Sequence, residues 1–231
     1  MTSLRHEAEI PASRAPAYGG HPSLRSVAKR GFDLGFALVA IVVTLPLFAI
    51  LGAAVRLTSP GPVFFRQRRV GLHGRAFVML KFRSMHFGAS EERHREYVAS
   101  LIAGAPAPAS HRGAFKLAND GRITAVGAFL RRTSLDELPQ FWNVLTGDMS
   151  VVGPRPPLEY EVALYADWQW ERLSVKPGIT GHWQVSGRNR HAYVDMVRLD
   201  IEYVRHWSFW RDLGIVMRTP FVMLTNSGRA A

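Results

Sequence analysis

The chain has no cysteine among its 231 residues. That excludes disulfides, thiolate metal ligands and cysteine nucleophiles, and it is compatible with a reducing compartment. Acidic residues are scarce: 18 Asp and Glu stand against 29 Lys and Arg, a net charge of +11. So basic a balance points to an anionic partner, whether nucleic acid, anionic lipid or a phosphorylated substrate. Over residues 34–55 charge is absent altogether. Several chemical signatures are missing too. No two aspartates stand two positions apart, as a metal-binding Asp-x-Asp needs, and there is no Walker A loop and no His-Glu-x-x-His zinc motif. No internal repeat is visible.

The uncharged run LGFALVAIVVTLPLFAILGAAV would span about 33 Å as a straight helix, close to the hydrocarbon core of a bilayer. It follows a polar lead containing Pro11, Pro16, Gly19, Gly20 and Pro22, too long for an ordinary cleaved signal. A buried core helix is the plain alternative. Pro46 lies near the middle of the run, where it removes a backbone donor and favours a kink. Arg25, Lys29 and Arg30 precede the run, and Arg56, Arg66, Arg68 and Arg69 follow it. The positive-inside tendency places both flanks in the cytoplasm. A helix that enters, bends near Pro46 and returns on the same side satisfies both features, with a single crossing as the alternative.

Residues 59–62, SPGP, break the chain after this run. VFFRQRRV and RAFVMLKF then flank GLHG, the pattern of a β-hairpin. Residues 90–103 have a helical pattern with Ser90 as its cap, and 104–110, GAPAPAS, reads as a flexible loop. Further helices are expected over 123–130 and 157–173. Near the C-terminus Trp207, Phe209 and Trp210 precede an apolar run broken by Arg218 and Pro220. That pattern suits an amphipathic helix lying among lipid headgroups, with core aromatics as the alternative.

The most informative stretch is TSLDELPQFWNVLTGDMSVVGPRP, residues 133–156. It sets two adjacent carboxylates, Asp136 and Glu137, before a proline and an aromatic segment. Ser134 and Glu137 fit a capping box, in which the acids would only complement a helix dipole. The neighbours suggest more. Arg131, Arg132 and Arg155 flank the pair in sequence, Lys81 and Arg83 lie in KFRSM, and Arg188 follows the turn KPGITG. Arginine suits bidentate phosphate binding, although each of these cations alone reads equally as a solvated surface charge. A carboxylate can attack phosphorus to form an acyl phosphate, provided Mg²⁺ or arginine offsets the phosphate charge. Adjacent acids permit a nucleophile and a metal ligand side by side, and spacing alone does not say which is which.

KFRSM, TSLDELPQFWNVLTGDMSVVGPRP and VKPGITGHWQVSGRN closely resemble the motifs of the bacterial sugar transferases known as monotopic phosphoglycosyl transferases, in the same order and over residues 29–225. The resemblance implies transfer of a sugar-1-phosphate from a UDP-sugar to undecaprenyl phosphate, with release of UMP, to begin exopolysaccharide or O-antigen units. It implies Asp136 as the nucleophile of a covalent phosphosugar intermediate and Glu137 as the Mg²⁺-binding partner. Lys81, Arg131, Arg155 and Arg188 match basic positions around the phosphates, and Arg83 is grouped with them from its place in KFRSM. It also implies a re-entrant helix whose hinge often carries Ser-Pro, where this chain has Leu45 and Pro46.

Lacking the extra spans and nucleotide-binding module of larger relatives, the sequence resembles the short forms, which points to UDP-galactose or UDP-glucose. The expected fold class is α+β and mostly helical. A mobile lead (1–24) and a re-entrant membrane helix (25–58) precede a compact cytoplasmic catalytic domain (59–227) with a small β-hairpin and interfacial amphipathic helices. The expected place is the cytoplasmic face of a bacterial inner membrane, in contact with membrane lipid. A homo-oligomer is left open. A nucleic-acid partner is not expected, because the basic residues form no single stripe and an uncharged membrane run has no purpose there. A scaffold that keeps the fold without catalysis is the other alternative.

Overall fold

The apolar run forms the core of one long helix, α1 (Leu24–Thr58), in a computed structural model that describes residues 24–89, 92–102, 120–187 and 192–226. The lead over 1–23, Ser90, the loop over 104–110 and Arg188 lie outside those residues. Leu, Val, Ile and Ala dominate α1, and its backbone stays helical through Pro46. Pro46 has no N–H to meet the carbonyl one turn back. Two residues before it the Thr44 hydroxyl donates to the Ala40 carbonyl at 2.6 Å, a side-chain bond that tends to bend helices. By length and composition α1 can cross a membrane, and no other helix among the described residues meets that standard.

The seating of α1 is uneven. Near its start, Asp33 and Ala37 are buried, and near its end Leu51 and Val55 are buried. Between them Leu38, Val39, Val42, Val43 and Leu45 are each more than half exposed. The helix therefore touches the folded body at both ends and is largely bare in the middle.

The two segments on either side of a glycine-bounded turn form the expected hairpin. Strands β1 (Phe64–Val70) and β2 (Ala76–Phe82) pair antiparallel, with Phe65 opposite Lys81. After β2 come α2 (Glu92–Ile102), α3 (Ala125–Thr133) and α4 (Gln140–Thr146). A second sheet has just two short strands, β3 (Ser150–Val152) and β4 (Gly178–Thr180), in parallel. Helix α5 (Glu159–Val162) lies between them, and α6 (His182–Val185), α7 (Tyr193–Arg205) and α8 (Phe209–Asn226) follow. The described part is thus mostly helical with little sheet.

The single helix expected over 157–173 is not formed. Helix α5 is four residues long, and a separate 3-10 segment spans Asp167–Ser174. The Gln169 side chain accepts the N–H of Ala166 at 2.7 Å, which starts a new turn where a continuous helix would use that amide internally. Tyr165 and Trp170 meet edge to face across the break and bury in the same core.

Three apolar clusters hold the body together. Val98, Val162, Trp170, Trp183 and Met196 centre the first, which joins α2, α5, the 3-10 segment, α6 and α7. Ala37, Met79, Val144, Met149, Val151 and Ile215 centre the second. Leu51, Val55, Phe82 and Leu130 make the third, directly beneath the acidic pair. Helix α8 keeps its helical path through Arg218 and Pro220, buries Asp212 and Ile215, and exposes Trp210, Met217 and Phe221. One face is seated and the other is apolar and bare, as an interfacial helix requires.

Candidate active site

The acidic pair is delivered by α3. Thr124 caps that helix, its hydroxyl accepting the Gly127 N–H at 2.9 Å, while its own N–H donates to the Ser84 carbonyl at 3.1 Å. His86 N–H donates to Arg122 at 2.8 Å, so the chain after β2 is zipped to the start of α3. Gly127 is required there, since a Cβ at that position would overlap the Ser84 backbone. At its other end α3 carries Arg131 and Arg132 in its last turn and stops at Ser134.

Ser134 does not act as an N-cap. It adopts a left-handed conformation, φ 57°, makes no side-chain capping bond, and closes α3 by donating its N–H to Leu130. The expected capping box with Glu137 is therefore corrected: a residue with helix-closing backbone cannot also hold the extended geometry of a cap. Instead Leu135–Glu137 form a 3-10 turn. Residues three apart eclipse in such a turn. Leu135 and Leu138 accordingly share a face and pack on the cluster of Leu51, Val55, Phe82 and Leu130. The end of α1 is thus part of the floor under the acidic pair.

Asp136 is 8% exposed. Glu137 is half-buried and its Oε1 lies 2.8 Å from the ammonium of Lys81, so the structure joins three of the residues singled out in the sequence. Arg131 is half-buried, and its Nη1 is buried with no hydrogen-bond partner among the described residues. Asp120, the nearby carboxylate, is already committed. Hydrogen bonds from Arg122 hold it below the usual carboxylate range, with a lesser contribution from the Arg131 charge. A buried donor left without a partner is costly, and a bound anion would relieve that cost.

Arg155 lies in the turn GPRP between β3 and α5. Gly153 and Gly178 approach so closely across the parallel pair that a Cβ on either would strike the other's backbone, which locks this turn to KPGITG. Arg69 donates to the Pro156 carbonyl and Val70 to that of Pro157, each at 2.9 Å. The Arg155 guanidinium lies 3.4 Å from Glu161, which is fully buried. Arg69 and Glu161 were not singled out in the sequence. Nothing distinguishes Arg69 from its basic neighbours there, and Glu161 reads as an ordinary helical acid.

Arg83 is elsewhere occupied. It is 5% exposed, and its guanidinium donates to the carbonyls of Val55, Ser59 and Pro60. Those carbonyls at and beyond the end of α1 lack helical partners, and Arg83 supplies them. Its two terminal nitrogens are committed to the backbone, so a phosphate contact by Arg83 would have to compete with those bonds. Pro46 is an exposed residue of α1.

Asp136 and Glu137 offer hard carboxylate oxygens, the donors Mg²⁺ prefers. No cluster of three or more His, Cys, Asp or Glu suited to a metal exists among the described residues. Mg²⁺ is commonly held by one or two carboxylates together with substrate phosphates and water.

Comparison with known proteins agrees with the motifs. A family model described as bacterial sugar transferase matches residues 24–226. The exopolysaccharide production protein ExoY of Rhizobium meliloti is 41% identical over 227 residues, 97% of this chain and 98% of that protein. The undecaprenyl-phosphate galactose phosphotransferase of Salmonella typhimurium is 44% identical over 201 residues, and the UDP-glucose:undecaprenyl-phosphate glucose-1-phosphate transferase of Xanthomonas campestris pv. campestris is 41% identical over 206. These matches cover 87% and 86% of this chain but 41% and 39% of those two longer proteins. With its motifs in order and nearly its whole length matched, the chain belongs to the bacterial sugar transferase family.

Proposed function

We propose that this protein transfers a sugar-1-phosphate from a UDP-sugar to undecaprenyl phosphate and so initiates a bacterial exopolysaccharide or O-antigen unit. The observation that carries the reading is the placement of Asp136 and Glu137 on one turn with Lys81 on Glu137. A carboxylate oxygen of Asp136 attacks the β-phosphorus of the UDP-sugar. The bond from that phosphorus to the bridging oxygen breaks, and UMP leaves with the electron pair. An oxygen of undecaprenyl phosphate then attacks the same phosphorus and displaces Asp136, giving the lipid diphosphate sugar. Charge develops on the departing phosphate, and fixed cations near it are the main means of stabilising such a transition state.

Lys81 and Arg131 are proposed as such cations: Lys81 is paired with Glu137, and Arg131 brings a buried donor without a partner among the described residues. Arg155 and Arg188 are proposed to complete the phosphate-binding set. Glu137, with Asp136 beside it, would hold Mg²⁺. When bound, the ion would offset phosphate charge. Lys81 orients the Glu137 carboxylate.

The membrane helix is proposed to be re-entrant. Asp33 and Ala37 at one end, and Leu51 and Val55 at the other, bury in the same folded body. A body on one side of a bilayer cannot seat both ends of a helix that crosses a hydrocarbon core of roughly 30 Å. The bare stretch between them is then the part that enters the lipid, and the body lies on the cytoplasmic face of the inner membrane. Relatives named for galactose and glucose transfer favour UDP-galactose or UDP-glucose as donor.

Two labelled donors test the reading on membranes containing the protein. Label in the sugar or at the β-phosphorus should enter the lipid, whereas label at the α-phosphorus should leave as UMP. Release of UDP instead would overturn it. Asp136→Asn should abolish both transfer and any trapped protein-bound phosphosugar, and substantial turnover by that variant would remove Asp136 as nucleophile.

A further inference from the structure

Asn143 stands in the apolar stretch FWNVL of α4 and is 3% exposed. Its side-chain amide uses both ends on one strand. Oδ1 accepts the Leu80 N–H at 3.0 Å, and Nδ2 donates to the Val78 carbonyl at 2.8 Å. Among the described residues strand β2 has β1 as its sole strand partner, so these two groups belong to its open edge. The planar amide thus takes the place of the missing neighbouring strand over Val78 and Leu80. No other uncharged side chain of this size offers a donor and an acceptor at that reach, since Asp cannot donate, Leu does neither and Gln is one methylene longer.

The clamp lies in a closed circuit. Leu80 is followed by Lys81, whose ammonium meets Glu137 at 2.8 Å. Glu137 is followed by Leu138, Pro139 and helix α4, which returns to Asn143. Covalent chain makes two sides of the circuit, and the amide clamp and the ion pair make the others. Sliding of α4 along β2 would open the ion pair, and the clamp prevents that sliding. The Asn143 backbone adds to the hold, its carbonyl accepting the Met149 N–H at 3.0 Å.

We propose that Asn143 is a positioning residue that sets the contact between Lys81 and Glu137. It touches no reacting atom itself. Its meaning for catalysis rests on the reaction proposed above, but its effect on the ion pair does not.

Two measurements on the full chain in detergent test this separately. The first is a thermal cycle of wild type, Asn143→Ala, Lys81→Met and the double variant, without substrate. Lys81→Met should lower Tm by about 2–4 °C in the wild-type background. That shift should largely vanish once Asn143 is gone, because the pair is already open, and equal shifts in both backgrounds would overturn the proposal. The second is UMP release. A folded Asn143→Ala should lose about tenfold or more in kcat, as small misplacements in active sites do, with the KM for UDP-sugar within about twofold. Unchanged kcat in a folded variant would also overturn it. Should Asn143→Ala not fold, Asn143→Asp replaces it, since the carboxylate keeps the Leu80 contact and loses the Val78 one. If wild-type protein releases no UMP from any UDP-sugar, the proposed reaction fails, while the thermal cycle still decides the role of Asn143.

Discussion

Lys81 Nζ lies 2.8 Å from Glu137 Oε1, and the two residues are 56 positions apart in the chain. Both side chains are about four-fifths buried, at 23% and 21% exposed. Screening by solvent is weaker there than at the surface, so the pair is a firmer restraint than an exposed one. It ties the hairpin to the turn that carries Asp136.

Lys81→Met should therefore reduce UMP release on the order of 10- to 100-fold, because Glu137 loses its orienting cation and the phosphate loses a nearby charge. Lys81→Arg should recover part of the loss. Steady-state kinetics on purified protein give the comparison, and unchanged kcat in Lys81→Met would remove the residue from the mechanism.

Ser134→Gly should stabilise the protein by about 0.5–1 kcal/mol, seen as a Tm rise of roughly 1–4 °C. Ser134 occupies left-handed backbone at φ 57°, where a Cβ is unfavourable and glycine has none. Transfer activity should be retained. A fall in Tm would show that Ser134 holds some other conformation.

Lys29 sits between two buried carboxylates, 3.3 Å from Asp33 and 2.8 Å from Asp212. It also donates to the Val152 carbonyl, and Asp33 accepts from Ser150 and Val151, so this group seats the start of α1 on β3 and α8. Lys29→Met leaves both acids uncompensated and should cost about 3–5 kcal/mol. The denaturation midpoint measures the loss. Adding Asp212→Asn should restore part of it, and no restoration would argue against a charge-based latch.

His182 contributes a pH dependence. Burial lowers its pKa, and Arg211 and Arg218 lower it further against the opposing pull of Glu202 3.8 Å away. The folded protein therefore takes up the proton less readily than the unfolded chain. This contribution is fully present above the unfolded pKa of about 6.5 and is lost as pH falls below it. His182→Gln should flatten the fall in stability on the acid side, measured by denaturant titration at several pH values. An identical slope in both proteins would assign the acid sensitivity to other groups.

Because the chain lacks cysteine, introduced thiols report topology without background. Ser26→Cys and Arg75→Cys place one exposed thiol on each side of the membrane run. In intact cells both should resist an impermeant thiol reagent, and both should react after permeabilisation. Labelling of one alone from outside would establish a crossing helix in place of a re-entrant one.

The long uncharged run and the hairpin were legible because each is a local pattern, length and apolarity in one case and two strand-like segments flanking the turn GLHG in the other. Ser134 was not. Its spacing to Glu137 matches a capping box, yet α3 persists up to it, and the packing of Leu135 and Leu138 on Leu51, Val55 and Phe82 selects a 3-10 turn instead. The strands β3 and β4 have three residues each, too few to show a period, and they exist because GPRP and KPGITG interlock through glycines. Arg83 looked like its neighbours, and its distinct role arises only where the end of α1 brings unpaired carbonyls within reach.

Asp136 and Glu137 are adjacent by covalent order, and the uncharged run is apolar by composition, so both features belong to the sequence alone. Which cation meets Glu137 does not. Lys81 is carried to it by the hairpin, through strand pairing, the Asn143 clamp and the leucines beneath the turn. Local spacing reaches a few residues along the chain, whereas a partner 56 positions away is chosen by packing, which exists only in the folded state.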